Sequence, residues 1–463
     1  MVGMAGAPRG SLVRIVAVTH SGEVTHEGIL LSPASPGHVT VKLTNGYNVS
    51  YPDDSVSSCE VLSEVDANTE VSYKIPKEDA SLPEIWILHT GGTIASKVDY
   101  VTGAVAARFE PEELLDAVPE LATHARIRTR KLGNMWSDDI RTQHWNLMME
   151  AAADAFDAGA VGVVITHGTD TMHFSAAAAA FAWAGGGARP PGRIVFTGSQ
   201  RSSDRGSTDG TENLLAAVHW AAQGPVPSGE EGDASVIIMH AGSDDGECAV
   251  LPGCSVRKFH SSRRDTFAAI NRNPLATISV ERGGACEITL SDSYAESYNT
   301  TRAITKSPSQ FSPDIRILQL LAGSQMFADQ IELAGSGGYD AILFHGTGLG
   351  HLPIENPTGD APENTELFEA VQSYCSGGGI AVMATQCIHG PVHMDVYSKG
   401  RDQQALGIMG NHASTSPDTA LVKLHYLLSV ARAKELSGEQ IRDCVAEGWS
   451  ADLCGENPAS MPN

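Results

Sequence analysis

The chain has 463 residues, 42% of them apolar and 19% charged, the balance of a globular protein long enough for two or three domains. Its 31 Lys and Arg stand against 55 Asp and Glu, a formal charge of −24. That charge excludes general electrostatic capture of nucleic acid, so any such partner needs a basic face supplied by another protein. The acidic residues are spread rather than blocked, which fits a surface adapted to high salt, where the Debye length shrinks to about 3 Å. No run approaches the ~20 apolar residues of a membrane span, and residues 1–10 lack the apolar core of a signal peptide. The eight cysteines form no C-x-x-C pair. A cytoplasmic protein with reduced thiols and no membrane contact is expected.

Residues 11–75 read as β throughout. Short strand patterns over 13–18, 28–31 and 39–43 lead into Asn45-Gly46, a strong two-residue hairpin signal, and predict a small SH3-like barrel. No catalytic residue types cluster there, so it reads as a docking module. A linker with Pro76 and Pro83 follows, and from Glu84 strands alternate with helices. The apolar run 85–88 ends in a Thr-Gly-Gly-Thr turn at 90–93, then a loop over 97–107 and a helix over 111–118 with acids in its first turn. A strand over 161–166 ends in His167-Gly-Thr-Asp170, followed by a helix over 171–183. A strand over 193–197, a helix over 213–222, a surface insertion over 224–232 and a strand over 235–239 come next. After polar residues 291–311, strands over 315–318, 341–344 and 380–383 form a second α/β block, closed by a helix over 419–433. The tail, 437–463, is acidic and weakly patterned. The fold class is α/β with a small N-terminal β-barrel, divided as 1–79, 80–300, 301–436 and the tail.

Several of these strands finish in small polar residues, as when strand ends line one crevice. Thr93 follows a glycine pair just beyond a strand, where a hydroxyl would face that crevice or simply sit in a connection. A threonine hydroxyl needs a base to become a nucleophile. Thr169 and Asp170 open a helix and would serve there either as chemistry or as caps. Lys258 is a base where burial and neighbouring charge favour its neutral form, and a solvated surface charge otherwise. Ser137 and Asp138 offer a hydroxyl and a carboxylate to a charged substrate, or an N-cap to a helix over 141–150. No G-x-x-x-x-G-K-[ST], G-x-S-x-G or paired C-x-x-C occurs, which leaves P-loop, serine-hydrolase and zinc-site readings without footing.

The motifs TGGTIA at 90–95 and HGTDTM at 167–172, with the Lys258 segment after them, resemble the L-asparaginase family in kind and order over residues 84–433. The resemblance implies an asparaginase-like pair of α/β domains and a threonine nucleophile that forms an acyl-enzyme with a side-chain amide. It implies Thr93 as that nucleophile, and Thr169, Asp170 and Lys258 as the group that activates it or the attacking water. Tyr100 is similar to the lid tyrosine of the family. Ser137 and Asp138 align with the pair that holds the α-amino and α-carboxylate groups, Asp138 standing where some members carry Gln.

His173-Phe-Ser-Ala and Gly198-Ser-Gln-Arg-Ser-Ser-Asp-Arg both depart from free asparaginases. With the small β domain, Thr385-Gln-Cys and Tyr397-Ser-Lys-Gly-Arg-Asp, they resemble the branch formed by D subunits of archaeal glutamyl-tRNA(Gln) amidotransferases. That resemblance implies a glutaminase subunit that releases ammonia from glutamine or asparagine. The partner, an E subunit in a heterodimer or a dimer of heterodimers, would bind Glu-tRNA(Gln) and activate it with ATP and Mg²⁺. No cofactor or metal is expected on this chain itself. A free-standing asparaginase and a non-catalytic binding subunit on the same fold remain open alternatives.

Overall fold

Period-two alternation puts Val13, Ile15 and Ala17 of strand β1 (Leu12–Thr19) on one fully buried face. This computed structural model describes residues 9–31, 33, 36–43, 48–63, 79–92, 94, 97–98, 105–106, 118–201 and 208–458. β1 lies between β2 (Gly22–Leu31) and β5 (Val56–Ser63), while β3 (His38–Leu43) and β4 (Asn48–Pro52) extend the sheet beyond β2, every pairing antiparallel. Val13, Ile15, Val39 and Val41 form its core. A closed barrel is the expectation from sequence. Among the described residues no ladder joins β4 to β5, and Asn45-Gly46 lies outside those residues.

The next strands in chain order are β6 (Glu84–His89), β7 (Lys97–Val98), β8 (Val105–Ala106), β9 (Arg126–Lys131), β10 (Gly162–Thr166), β11 (Arg193–Thr197) and β12 (Val236–His240). They are followed by β13 (Glu247–Pro252), β14 (Val256–Lys258), β15 (Phe267–Ala269), β16 (Ala276–Val280) and β17 (Cys286–Leu290). Eight of them form one sheet in the order β9-β6-β10-β11-β12-β13-β16-β17, parallel from β9 to β12 and antiparallel beyond. β7 pairs with β8 where the sequence predicts a loop, and most of the helix expected over 111–118 lies outside the described residues.

The parallel strands run 2-1-3-4-5 in sequence order, so the winding reverses between β6 and β10. In open α/β sheets the crevice for a ligand lies beyond the carboxyl ends of the strands at that reversal. Both faces are covered at β6, β10, β11 and β12, which is why those four read as apolar runs, while β9 at the edge is Arg-Ile-Arg-Thr-Arg-Lys. Val163 and Ile165 enter the core shared with helices Thr142–Asp157 and Met172–Ala184, while Val164 enters the core under helix Gly210–Gln223.

Helix Met172–Ala184 is apolar all round and is almost wholly buried, as such a helix must be. Its run of alanines lets it press against the sheet on one side and helix Pro417–Ala433 on the other. Phe181 stacks on Tyr426 at 5.6 Å between ring centroids. Buried aromatics of this size contribute on the order of 2–3 kcal/mol each.

The second α/β unit has three parallel strands, β18 (Ile317–Leu321), β19 (Ala341–Gly346) and β20 (Ala381–Thr385), flanked by helices Ala328–Ser336 and Pro362–Ser376. Leu343, Val382 and Leu424 belong to the same core as Phe181, so the two α/β units are fused through one apolar layer.

Two expectations are corrected here. The tail expected over 437–463 is folded as far as it is described, to residue 458: helix Glu439–Ser450 buries Val445 and Trp449, and Cys454, Gly455 and Glu456 are buried beyond it. The Lys423 ammonium meets the Glu456 carboxylate at 2.6 Å, both side chains fully buried, and donates to the carbonyls of Trp449 (3.0 Å) and Ala451 (2.7 Å). Residues 224–232 are not a surface insertion either. Asp233 accepts from the backbone N–H of Ser228 and Gly229 and from the Tyr294 hydroxyl, folding the loop inward, and the Gly232 N–H bonds the Cys454 carbonyl.

Candidate active site

Turns that follow β6 and β10 meet at the reversal of the sheet. Thr90 ties them together, its N–H and its hydroxyl both donating to the Thr166 carbonyl, at 3.2 and 2.9 Å. Gly91 and Gly92 have φ of 122° and 91°, a region that disfavours side chains. A methyl group on Gly92 would lie 2.5 Å from the Gly168 nitrogen, so the two turns touch through bare backbone. Thr93 comes next in the chain. Thr93 and Tyr100 both lie outside the described residues.

On the β10 side, Thr169 is buried and Asp170 is exposed. Lys258, last residue of β14, reaches them both: its Nζ donates to Thr169 Oγ1 at 2.9 Å and to Asp170 Oδ1 at 2.8 Å. Pairing of β14 with β15 sets Lys258 opposite Phe267 and fixes where its stem begins. An ion pair with one exposed partner adds little stability. Its value is geometric. It sets the amine between a hydroxyl and a carboxylate, a relay along which a proton can pass.

Ser137 is buried against the same turn. A methyl group on Gly168 would meet its Cβ at 2.8 Å, and the Thr171 hydroxyl donates to its carbonyl at 2.6 Å. Asp138 is exposed and lines a recess of about 340 Å³ with Thr171, Phe174, Gln319 and His425, between the two α/β units. Ser137 and Asp138 form a short 3₁₀ turn with Asp139, and the helix expected from 141 begins at Thr142. Thr169, Asp170, Lys258 and Ser137 thus converge, while Asp138 faces the recess beside them.

Some residues that build this site give no catalytic signal in sequence. His167 is fully buried, its Nδ1 2.6 Å from the Gly168 carbonyl and its Nε2 2.9 Å from Ser175 Oγ. Burial pushes its pKa down to about 4, so it stays neutral and holds the turn rather than titrating. Asp209 is buried and accepts from Ser199 Oγ (2.7 Å), the Gln200 and Arg201 N–H groups (both 3.0 Å) and Asn213 Nδ2 (3.0 Å). It therefore shapes the turn after β11. Asp418, at the start of helix Pro417–Ala433, is approached by Arg257 Nε at 3.3 Å and His173 Nε2 at 3.5 Å. Burial alone would raise its pKa, but the hydrogen bond from His173 and the Arg257 charge hold it below the usual carboxylate value. The strand that carries Lys258 is anchored by this cluster to the second unit.

Known proteins share this layout. The asparaginase N-terminal family model matches residues 84–290, and the glutaminase/asparaginase C-terminal domain model matches 314–444. The chain is 35% identical over 426 residues to the glutamyl-tRNA(Gln) amidotransferase D subunit of Thermococcus kodakarensis, covering 90% of this chain and 89% of that protein. The chain belongs to the D-subunit family of glutamyl-tRNA(Gln) amidotransferases. The Halobacterium salinarum member is 35% identical over 436 residues, covering 92% and 95% of the two chains. Among solved structures, the thermostable L-asparaginase from Thermococcus kodakarensis aligns with a TM-score of 0.63 at 25% identity, over 81% of this chain and all 100% of that one. L-asparaginase I from Vibrio cholerae aligns with a TM-score of 0.61 at 25% identity, over 82% and 100%. Membership in the D-subunit family and the two asparaginase-type units agree with the family resemblance that TGGTIA and HGTDTM carry.

Proposed function

We propose that this chain is the glutaminase subunit of an amidotransferase that converts Glu-tRNA(Gln) to Gln-tRNA(Gln). It would release ammonia from glutamine, or from asparagine, for a partner E subunit that binds the charged tRNA and activates its glutamyl group with ATP and Mg²⁺. The observation that supports this most is the Lys258–Thr169–Asp170 cluster beside the Gly92–Gly168 contact, in a chain of the D-subunit family.

In this reading the Thr93 oxygen attacks the side-chain amide carbonyl and its proton leaves to a base. The C–N bond then breaks as the nitrogen gains a proton and departs as ammonia, leaving an ester on Thr93. Water hydrolyses the ester to give the free carboxylate and restore the hydroxyl. Thr169 Oγ1 takes that proton as its own passes to neutral Lys258 Nζ, 2.9 Å away, while Asp170 steadies the ammonium so formed. Ser137 and Asp138 would hold the amino-acid end of the substrate, with Tyr100 closing over it.

A formal charge of −24 supports leaving the RNA to the partner, and the same charge suits a cytoplasm of high salt. The N-terminal sheet, closed or open, would be the docking element in a heterodimer or a dimer of heterodimers. The proposed division of the chain is 1–79, 80–300, 301–436 and 437–463, with the described part of the last segment, to residue 458, packed on the second α/β unit.

Ammonia release by the purified chain tests the reading. Glutamine hydrolysis is expected to be slow alone and to rise at least tenfold with the partner protein and Glu-tRNA(Gln). Fast asparagine turnover indifferent to both additions would instead make the chain a free-standing asparaginase.

A further inference from the structure

Three donors of a kind that bind metal converge under helix Gly210–Gln223, away from the turns just described. His124 follows the short turn Pro119–Thr123, His219 lies on the helix and Cys286 opens β17. Their ligand atoms all lie within 4.8 Å of one another, and all three residues are half-buried. His219 is ten residues along from Asp209, about 15 Å of helix axis, which separates this cluster from the loop that Asp209 shapes.

Geometry here is specific. The Nδ1 atoms of His124 and His219 stand 3.1 Å apart, with the rings edge-on at 82°. In a tetrahedral zinc site with Zn–N near 2.0–2.1 Å, two imidazole nitrogens sit about 3.3 Å apart. His124 Nε2 lies 2.7 Å from the Gly284 carbonyl. A carbonyl only accepts, so Nε2 carries the proton and Nδ1 presents its lone pair. An imidazole with one nitrogen free and the other N–H on a carbonyl is held as metal-bound histidines are held. Placing the His219 proton on its own Nε2 frees the second lone pair toward the same point. Cys286 supplies sulfur, and its Sγ is 3.6 Å from the same Gly284 carbonyl.

We propose that His124, His219 and Cys286 form a site for a zinc-class divalent cation that clasps the segment before β9, the helix and β17 together. Two imidazoles and a thiolate suit zinc or cobalt, while magnesium and calcium favour oxygen ligands. On binding, the Cys286 thiol loses its proton to solvent as the metal–sulfur bond forms, and a water fills the fourth position. No oxidation is involved. The role is structural: three segments distant in sequence are joined through one ion, and folding and metal binding become linked.

Titration of the metal-stripped full-length chain with Co²⁺ tests this. One equivalent is expected to give the visible bands of tetrahedral cobalt and a thiolate-to-cobalt charge-transfer band in the near ultraviolet. Zn²⁺ should displace that signal and raise the Tm. Cys286→Ser should remove the charge-transfer band, and His219→Ala should weaken cobalt binding at least tenfold, with glutamine hydrolysis unchanged in both. Absence of any stoichiometric cobalt spectrum in the unaltered chain would overturn the proposal. A spectrum that survives in both Cys286→Ser and His219→Ala would overturn it equally.

Discussion

Lys258 is where a strand of three residues becomes chemistry. Its ammonium bridges Thr169 and Asp170, so losing it removes both the relay and the fixed spacing of the other two. Lys258→Met keeps the apolar stem, and kcat for amide hydrolysis is expected to fall about 10²–10⁴-fold, the usual contribution of a placed base. Retained activity in a folded Lys258→Met protein would exclude the relay. Asp209→Ala tests a residue that acts by positioning. It strips acceptors from Ser199, Gln200, Arg201 and Asn213, and leaving such buried donors unpaired is expected to cost about 2–4 kcal/mol in urea unfolding. Thr169 and Asp170 were legible because they stand in one contiguous strand-end motif. Asp209 was not: its partners Ser199, Gln200 and Arg201 lie eight to ten residues upstream, and no local pattern links them to it.

At the scale of elements, the site depends on two turns pressed together at the reversal between β6 and β10. Gly92 combines a φ of 91° with a Cβ position 2.5 Å from Gly168 N, so neither conformation nor space admits a side chain. Gly92→Ala is expected to lower the Tm by several degrees and to cut amide hydrolysis more than 100-fold, by parting the turns. A Gly92→Ala protein with unchanged Tm and rate would contradict the close approach. β6, β10, β11 and β12 were readable since each is an apolar run with both faces covered, whereas β9, reading Arg-Ile-Arg-Thr-Arg-Lys at the sheet edge, was not. The pairing of Lys97–Val98 with Val105–Ala106 was not, because two-residue strands carry no periodicity. The loop over 224–232 misled for a different reason. Its Gly and Pro residues mark a turn correctly but say nothing of the C-terminal segment that covers it.

Across the whole molecule, residues far apart in sequence close one core. Ile441, Val445 and Trp449 are spaced four apart in an otherwise polar stretch, a helical stripe that was present in the sequence but masked by its acidic surroundings. Nothing local announces that Glu456 returns to Lys423. Burial raises the Glu456 pKa, but the Lys423 charge and hydrogen bond outweigh it and hold the group below its ordinary value. A carboxylate held low contributes stability above the unfolded pKa, about 4.3 for Glu, and loses it as pH falls below that. Lys423→Met leaves the buried carboxylate uncompensated and is expected to cost about 3–5 kcal/mol at neutral pH. The same variant should show a shallower loss of Tm between pH 5 and pH 3 than the unaltered chain. Equal stability of the two at pH 7 would contradict the pair's role.

Membership in the D-subunit family and the Lys258–Thr169–Asp170 cluster lead to one central claim, that the ammonia made here is destined for a tRNA-bound glutamyl group. Amide-labelled [¹⁵N]glutamine, supplied with the chain, the partner protein, ATP, Mg²⁺ and Glu-tRNA(Gln), tests it most directly. The label is expected in the side-chain amide of Gln-tRNA(Gln), with Thr93→Ala abolishing the transfer and added free ammonia restoring amidation. Label recovered only as free ammonia, with the tRNA still carrying glutamate in the presence of every component, would contradict it.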